Sequence, residues 1–303
     1  MKIVFMGTPE FAVKSLERLY SDGHEISGVF TQEDKPRKRG MKVTFSPVKE
    51  IAVLKNTPVY QPSTLKDGKA AQIITALNCD LIVVVAYGKL LPIEILDIPP
   101  LGCINIHGSL LPKYRGASPI QYAILNGEKE TGVTSQFISE KMDAGDIIFT
   151  EKTCIGDDET AGDLFLRLSD LGADLLSKTV TALSKGSVKR IKQNSDDVSY
   201  APLLSKDMSP IDWSLTGHEI KCKVRGLNPW PIATMTLNNN VLKIYSVDIS
   251  RNITSLSPGT VVSQGKTGLE IACADGTVMI KEIQPAGGKK MSAAEYLRGN
   301  PVN

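Results

Sequence analysis

Asn105 and His107 are side chains whose types and spacing could carry out chemistry together. They stand two residues apart in Cys103-Ile104-Asn105-Ile106-His107. A period of two puts both on one face of a strand, with the isoleucines opposite. An imidazole can move a proton near neutral pH, and a side-chain amide can donate a hydrogen bond to an oxyanion.

A carboxylate that could assist His107 follows in Met142-Asp143-Ala144-Gly145-Asp146. Taken alone, His107 fits a buried, hydrogen-bonded histidine better than a catalytic one, and Asp143 fits an ordinary turn residue. A carboxylate beside an imidazole, however, orients the ring and raises its basicity. Asn105, His107 and Asp143 together therefore predict a site for acyl transfer, a reaction that requires no metal ion.

The first half of the sequence predicts the sheet that would hold these residues. Short β-branched runs at 2–6, 26–30 and 80–86 alternate with longer amphipathic segments, as in parallel strands joined by crossover helices. We predict an α/β fold with a Rossmann-like, mostly parallel sheet and helices on both faces. His107 would then end a strand, at the sheet edge where open α/β folds bind ligands.

The rest of this half leads to a polar segment that we interpret as an interdomain connection. Periodicity predicts helices and strands over 119–125, 132–138, 147–154 and 161–183. From about residue 186 the sequence becomes polar and loses its periodicity. The predicted organisation is a catalytic domain over 1–189, a linker over 190–207 and a second domain over 208–303.

Short strands separated by turn residues characterise the second domain and predict a small, OB-like β-barrel. Asn238-Asn239-Asn240 and Asp275-Gly276 are typical of hairpin turns. Open five-stranded barrels often bind nucleic acid or sugar, but fold class alone does not assign that role. The predicted strands cover 232–237, 241–249, 259–264, 268–273 and 277–284.

Composition restricts the class of protein. Hydrophobic residues make up 42% and charged residues 22% of the 303, which excludes a disordered or fibrous chain. The 5 cysteines are scattered singly, without a Cys-x-x-Cys or zinc-ligand spacing, and we interpret them as reduced. No apolar run is long enough to span a membrane and no signal sequence opens the chain, so we predict a cytoplasmic location.

Basic residues concentrate in one segment, although the formal net charge is only +2. Either a solvated surface turn or a mobile arm that follows nucleic-acid phosphates would have this composition. The basic side chains of the segment are Lys35, Arg37, Lys38, Arg39 and Lys42. A second group, which would either extend this basic track or form an ordinary charged surface, consists of Lys221, Lys223, Arg225, Lys289 and Lys290.

Three other classes of protein agree with part of the sequence. A dinucleotide-dependent oxidoreductase needs a glycine-rich turn after the first strand, but Gly7-Thr8-Pro9-Glu10 lacks the second and third glycines of that fingerprint. A serine hydrolase could combine Ser109 with His107 and Asp143, but no G-x-S-x-G elbow presents the serine. A non-enzymatic RNA-binding protein would need only the barrel and the basic segment.

The segment around His107 resembles the catalytic domain of the folate-dependent formyltransferases. The match begins with Asn105-x-His107-Gly-Ser-Leu-Leu-Pro-x-x-Arg-Gly-x-x-Pro119-Ile-Gln121 and continues through Thr131-Gly-Val-Thr134 to Asp143-x-Gly-Asp146. Further motifs resemble the branch of this family that formylates methionyl-tRNA, at residues 5–11, 84–88, 211–213, 225–231 and 284–287. Relatives that act on glycinamide ribonucleotide, sugar amines or formylfolate would share the catalytic trio but not the second-domain motifs.

The resemblance implies roles for particular residues. It implies that Asn105, His107 and Asp143 are catalytic. The formyl donor, 10-formyltetrahydrofolate, would have its pterin near the segment from Tyr87 to Leu91. The donor would also lie against the loop after the catalytic strand, at Ser109, Leu110, Leu111 and Pro112.

The resemblance also implies the acceptor, initiator methionyl-tRNA, whose α-amino group would receive the formyl group. Its acceptor end would be reached by a basic loop over 32–42, with Arg39 the best-matched arginine, and the barrel would bind the tRNA as well. We expect a monomer with no membrane partner. One departure from the family is that residues 137–143 interrupt its usual Met-Asp-x-Gly-Leu-Asp-Thr-Gly-Asp segment, so the geometry before Asp143 is not predicted.

Overall fold

The structure, a computed structural model, describes residues 1–37, 42–250 and 252–302. Its helices are α1 (Glu10–Ser21), α2 (Pro47–Leu54), α3 (Lys69–Leu77), α4 (Ile93–Leu96), α5 (Pro119–Leu125), α6 (Ala161–Ser184), α7 (Gly217–Gly226) and α8 (Ala293–Gly299). Its strands are β1 (Lys2–Gly7), β2 (Glu25–Phe30), β3 (Lys35–Arg37), β4 (Lys42–Thr44), β5 (Val59–Tyr60), β6 (Leu81–Val85), β7 (Cys103–His107), β8 (Arg115–Gly116), β9 (Glu130–Phe137), β10 (Ile147–Cys154), β11 (Tyr200–Ala201), β12 (Ala233–Leu237), β13 (Asn240–Ser250), β14 (Val261–Gly265), β15 (Gly268–Cys273), β16 (Gly276–Pro285) and β17 (Met291–Ser292).

Seven strands form the sheet that carries the predicted site, in the order β10-β9-β7-β6-β1-β2-β5. β1 pairs in parallel with β2 and β6, β6 with β7, and β2 with β5. β9 runs antiparallel to β7. The mostly parallel, Rossmann-like sheet predicted from the sequence is confirmed.

Helices cover both faces of this sheet because its strands are apolar on both sides. All five residues of β6 are buried, as expected of a central parallel strand. On one face, Val4 and Met6 share a core cluster with Ile74 of α3. On the other face, Ile106 packs so closely on α6 that a Cβ added at Gly172 would lie 3.1 Å from its Cγ2.

The second sheet is antiparallel and follows the order β12-β13-β16-β15-β14, with β17 paired to β16. Its strands and α8 share one hydrophobic core cluster, which includes Ile244, Ile271 and Ile280 from the strands and Leu297 from α8. Among the described residues β12 and β14 are the two ends of the hydrogen-bonded path. The predicted second, β-rich fold is confirmed, and at the outer edge of β12 Thr234 exchanges backbone hydrogen bonds with Ser209 and Ile211.

Contacts divide the chain into two compact units. Unit 1 comprises 1–116, 131–154 and 165–201, and unit 2 comprises 117–130, 155–164 and 202–303. The domain limits at residues 189 and 208 remain a prediction. No helix in the described part of the chain is both long and apolar enough to cross a membrane.

Candidate active site

β7 presents Asn105 and His107 on one face, as the period of two predicts. Cys103, on the same face, belongs to the core cluster that includes α3 and α4, whereas Ile106 packs against α6 on the opposite face. The Asn105 side chain is half-buried, and its amide forms no hydrogen bond to any described residue. Because an amide of this kind keeps its donors free, it can bind an oxygen of a ligand.

His107 is buried and oriented by groups at both ring nitrogens. Its Nε2 lies 2.9 Å from the backbone carbonyl oxygen of Tyr114, and its Nδ1 lies 3.6 Å from Oδ1 of Asp143. A carbonyl oxygen only accepts hydrogen bonds, so Nε2 carries a hydrogen. Nδ1 is therefore the ring nitrogen beside the carboxylate.

Asp143 stands at a sharp turn between β9 and β10, with φ of +50° and only 13% of its side chain exposed. Its Oδ2 accepts a hydrogen bond of 2.8 Å from the backbone N–H of Gly116. Its Oδ1 accepts a bond of 3.3 Å from Nε2 of Gln136. These donors fix the carboxylate that faces His107, although the preceding segment departs from the family pattern.

The turn that carries Asp143 depends on a glycine two residues later. A Cβ added at Gly145 would lie 1.8 Å from the carbonyl oxygen of Phe137. Phe137 also donates its N–H to the carbonyl oxygen of Asp146 at 2.9 Å. The glycine of the Asp-x-Gly-Asp motif therefore allows two backbone segments to approach each other closely.

The loop after β7, which the resemblance assigns to folate binding, is fixed by hydrogen bonds to the side chain of Thr134. Thr134 Oγ1 donates to the carbonyl oxygen of Ser109 at 2.7 Å and accepts from the N–H of Leu111 at 3.1 Å. The Ser109 hydroxyl is fully buried and donates to the carbonyl oxygen of Lys113 at 2.6 Å. Leu110 and Pro112 are the half-buried side chains of this loop.

The segment after β6 begins at the same edge of the sheet, because β6 and β7 are parallel neighbours. The Tyr87 carbonyl oxygen accepts hydrogen bonds from Thr8 Oγ1 and Gln32 Nε2. The Tyr87 ring is buried, and this burial raises the pKa of its hydroxyl to about 12. Leu90 and Ile93 are exposed apolar side chains of this edge.

The basic residues predicted to bind tRNA are described only in part. Lys35 and Arg37 lie on β3 and Lys42 on β4, two strands that pair as an antiparallel hairpin. Lys38 and Arg39 lie outside the described residues. Their predicted role therefore remains a prediction.

The members of the second basic group lie in different environments. Arg225 is buried and donates to the carbonyl oxygens of Gly156 and Glu159, at 2.9 and 3.3 Å. Lys221 pairs with Asp158 at 2.5 Å. Burial lowers the pKa of Lys223. Of the two interpretations of this group of five residues, the extended basic track is wrong for Arg225, whose guanidinium is bound to backbone carbonyl groups. Lys289 and Lys290 are exposed, and for them both interpretations stay predictions.

Sequence reasoning missed two polar residues that contact the Asp143 turn, Gln136 and Gln193. Gln136 lies on β9 between the threonines and the Asp143 turn, and its side chain is almost fully buried. β9 is rich in polar residues, with the sequence Glu-Thr-Gly-Val-Thr-Ser-Gln-Phe, so nothing in its pattern distinguished Gln136. Gln193 lies in the polar segment interpreted as a linker, where no local pattern distinguishes it.

Within the described parts of the chain, no three His, Cys, Asp or Glu side chains are close enough together to hold a metal ion. The site instead combines a free amide, an oriented imidazole and a fixed carboxylate at the carboxyl edge of a parallel sheet. Groups of this kind stabilise charge and move protons when a carbonyl carbon is attacked. The fold and the site thus define a group-transfer enzyme of the α/β class.

Comparison with known proteins gives the family. The model of the formyl transferase family matches residues 1–180, and that of the formyl transferase C-terminal domain matches residues 203–301. The chain belongs to the formyl transferase family. The resemblance inferred from the sequence motifs is confirmed.

Close relatives match over their whole length. A methionyl-tRNA formyltransferase of Alkaliphilus oremlandii (strain OhILAs) is 47% identical over 302 residues, covering 100% of this chain and 97% of the relative. One from Clostridioides difficile (strain 630) is 44% identical over 302 residues, covering 100% and 98%. A solved N-formyltransferase from Helicobacter canadensis, in complex with folinic acid and dTDP-3-aminofucose, shares the fold with a TM-score of 0.68 at 22% identity, over 92% of this chain and 98% of that one.

Proposed function

We propose that the chain transfers the formyl group of 10-formyltetrahydrofolate to the α-amino group of methionine on initiator tRNA. The observation that carries the proposal is the free amide of Asn105 on the same strand face as the His107–Asp143 pair. Relatives named methionyl-tRNA formyltransferase cover the full chain at up to 47% identity, which supports the same donor and acceptor. The enzyme acts in the cytoplasm, as a monomer.

The reaction forms a C–N bond between the methionine nitrogen and the formyl carbon and breaks the bond from that carbon to the folate nitrogen. The attacking amine loses a proton, and the leaving nitrogen gains one. Charge develops on the formyl oxygen as the carbon becomes tetrahedral. The Asn105 amide donates a hydrogen bond to that oxygen, a contribution that is typically worth about 2–4 kcal/mol in an acyl-transfer site.

His107 moves the proton through one particular nitrogen. The Tyr114 carbonyl oxygen holds the hydrogen on Nε2, at 2.9 Å. Nδ1 is then the atom that gains and returns a proton, and Asp143 stabilises the positive charge of the ring from 3.6 Å. Because this distance exceeds a hydrogen bond, the contact shortens when the ring is charged.

The residues at the edge of β6 and β7 fit a flat, partly apolar donor. Leu90 and Ile93 are 60% and 45% exposed, and Leu110 and Pro112 are half-buried, so apolar surface is available on both loops. Ser109 was expected to contact folate directly, but its hydroxyl already donates a hydrogen bond to the carbonyl oxygen of Lys113 within the loop. We assign the buried Ser109 and Leu111 to shaping the loop, and Leu110 and Pro112 to contact with folate.

The acceptor is a large polyanion, and the basic segment supports its binding. Lys35, Arg37, Lys38, Arg39 and Lys42 place five cations within residues 35–42. Each phosphate that they neutralise releases counterions, so affinity falls with salt. Replacing Arg39 and Lys42 with alanine raises the tRNA KM and flattens its salt dependence while the folate KM stays unchanged. Unaltered tRNA kinetics would remove this segment from the acceptor site.

An assay of the purified full-length chain tests the proposal. The chain is incubated with 10-formyltetrahydrofolate and, separately, charged initiator tRNA, charged elongator tRNA or free methionine. Formylation of the charged initiator tRNA in preference to the others is expected. Formylation of free methionine at the same rate would instead indicate a small-molecule formyltransferase, and tRNA binding without product would indicate a binding protein.

A variant of Asn105 tests the observation on which the proposal rests. Asn105→Ala lowers kcat by roughly a hundredfold, because one oxyanion donor is lost. Gln72→Ala is the matched control, since it removes an exposed side-chain amide from α3. Near-normal turnover of Asn105→Ala would exclude its amide from the reaction.

A further inference from the structure

The polar segment that follows α6 contacts both loops of the candidate active site. We name residues 191–201 the clamp segment. Ile191 exchanges two backbone hydrogen bonds with Ile147, at the start of β10. Farther along, Tyr200 and Ala201 form β11, which pairs in parallel with β8, the strand that ends the loop after His107.

Between these two anchors, Ser199 holds the residue that contacts the imidazole. Its hydroxyl oxygen accepts a hydrogen bond of 2.9 Å from the N–H of Tyr114. Its carbonyl oxygen accepts one of 2.9 Å from the N–H of Arg115. The carbonyl group of Tyr114 that fixes His107 is thus positioned by the clamp segment.

Gln193 makes the corresponding contact with the turn of Asp143. Its Nε2 lies 2.8 Å from the carbonyl oxygen of Asp143 and 2.8 Å from that of Gly145. The same nitrogen lies 3.2 Å from Oε1 of Gln136. One side-chain amide therefore faces three oxygen acceptors around the catalytic carboxylate.

The direction of these hydrogen bonds is fixed at both ends. Arg115 can only donate, and its Nε and Nη2 lie 3.1 and 2.7 Å from Oε1 of Gln193. Gln193 must then turn its NH₂ group toward Gln136, whose own NH₂ group faces the carboxylate of Asp143. The hydrogen bonds therefore run in one direction, from the guanidinium of Arg115 through Gln193 and Gln136 to the carboxylate of Asp143. Each of the two side-chain amides has only one orientation that satisfies them.

We propose that Gln193 is a positioning residue of the formyl transfer, which holds the Asp143 carboxylate in line with Nδ1 of His107 through Gln136 and the backbone of the turn. The proposal rests on the proposed function of the site. Catalytic groups tolerate little displacement, since an error of about 1 Å can cost roughly a hundredfold in rate. The positive φ of Asp143, at +50°, leaves the turn dependent on such outside contacts.

Two substitutions separate the roles of the amide. Gln193→Met keeps the length of the side chain and removes all hydrogen bonds of the side-chain amide. Gln193→Glu keeps an oxygen acceptor for Arg115 but places a carboxylate against the carbonyl oxygens of Asp143 and Gly145. We expect both to lower kcat at least about tenfold, with the KM values of folate and tRNA unchanged, as for an interaction needed only in the transition state.

The controls are the same two substitutions at Gln72, an exposed residue of α3. The imidazole ¹⁵N and ¹H NMR signals give a readout that does not depend on activity. The chain has 3 histidines, and the signals of His107 are assigned as those lost in His107→Gln. These signals shift in both Gln193 variants and not in the Gln72 variants.

Three outcomes would overturn the proposal: a wild-type kcat in Gln193→Met, unchanged His107 signals in a variant with low kcat, or full activity of Gln193→Glu. The last would mean that the contact with Arg115 alone matters. A wild-type chain that formylates no acceptor would contradict the proposed function instead, and the NMR comparison would still test the positioning. Unfolding midpoints of all variants identify any loss of rate caused by unfolding.

Discussion

Oδ1 of Asp143 lies 3.6 Å from Nδ1 of His107, although His107 ends strand β7 and Asp143 lies in the turn between β9 and β10. The carboxylate is held by the N–H of Gly116 and by Gln136, and the imidazole is held by the carbonyl group of Tyr114. Neither side chain can turn away without breaking one of these hydrogen bonds. The pair is therefore oriented before any substrate binds, which is the condition for efficient proton transfer.

Replacing the carboxylate tests the charge of this pair. Asp143→Asn keeps the size of the side chain and suits the positive φ, because asparagine tolerates that backbone conformation. The neutral amide cannot stabilise a charged imidazole. It also has one oxygen for two donors, Gly116 and Gln136. We expect kcat to fall about a hundredfold or more, within the range for general acid–base groups.

Steady-state kinetics with both substrates measure this effect. Glu140→Gln is the matched control, because it also converts a carboxylate to an amide and lies exposed just before Asp143. A folate KM that stays constant while kcat falls is the expected pattern. Equal kcat values for Asp143→Asn and wild type would show that the charge of Asp143 takes no part in the reaction.

Local patterns predicted the elements that hold this pair. The period of two placed Asn105 and His107 on one face of β7, and continuous apolar residues identified β6 as the central strand. Helix α5 over 119–125 and strand β15 over 268–273 lie where the sequence predicted them. In each case the side chains of consecutive residues determine the structure, so a local reading is sufficient.

Contacts between distant segments were not predictable in this way. Gln193 is one polar residue among many in a segment without periodicity, and its partners lie on β8, β9 and the Asp143 turn. Arg225 is one of three lysine and arginine residues of α7, and only Arg225 of the three is buried, with carbonyl groups of Gly156 and Glu159 accepting its hydrogens. Such burial depends on which segment packs against the helix, and no local spacing encodes that.

A second prediction concerns Gly145, whose backbone lies close to the carbonyl group of Phe137. In Gly145→Ala the new methyl group would lie 1.8 Å from the carbonyl oxygen of Phe137, so the turn must move. Overpacking of this kind costs about 1–3 kcal/mol of folding free energy. Because the displaced turn carries Asp143, we also expect kcat to fall at least about tenfold, since a misplacement of about 1 Å can cost roughly a hundredfold in rate.

Circular dichroism during urea unfolding measures the stability, and the formylation assay measures kcat. Gly299→Ala provides the control, since a Cβ there meets no atom within 4 Å. Full activity and stability of Gly145→Ala would mean that the Asp143 turn is not held in the position described.

A third prediction compares the buried Arg225 of unit 2 with the exposed lysines of the same unit. Arg225→Leu removes the two hydrogen bonds that the buried guanidinium donates to the carbonyl oxygens of Gly156 and Glu159, and a hydrogen bond from a charged group is typically worth about 1.5–3 kcal/mol. We therefore expect a lower unfolding midpoint of unit 2. Fluorescence reports it directly, because the 2 tryptophans of the chain, Trp213 and Trp230, both lie in this unit.

The exposed lysines give the comparison for this prediction. Lys289→Ala changes the folding stability little, because its side chain lies in solvent. Any effect of this variant should appear in the salt dependence of tRNA binding. An Arg225→Leu variant of normal stability but with a changed salt dependence would restore the interpretation of Arg225 as a tRNA contact.

A fourth prediction concerns Glu270, a carboxylate with only 5% of its surface exposed. Its oxygens accept hydrogen bonds from Thr277, Asn252, Ser263 and Ser250, at 2.7, 2.7, 2.8 and 3.0 Å. These donors, Thr277 foremost, lower the pKa of Glu270 from 4.5 to about 2. The ionised form is therefore favoured in the folded state.

The sign of the pH dependence follows from this shift. A pKa that is lower in the folded than in the unfolded state adds stability above the unfolded value, and that stability is lost as the pH falls through the folded value. The shift corresponds to about 3 kcal/mol. We expect unit 2 to lose this amount between about pH 4.5 and pH 2, the two pKa values of Glu270.

Glu270→Gln should be less stable than wild type at pH 7, by a margin that narrows over this same interval. Tryptophan fluorescence during urea unfolding at a series of pH values measures it. The control is Glu282→Gln, whose half-exposed carboxylate pairs with Lys290 and should contribute at most about 1 kcal/mol. A stability difference between Glu270→Gln and wild type that stays constant from pH 7 to pH 2 would contradict the shifted pKa.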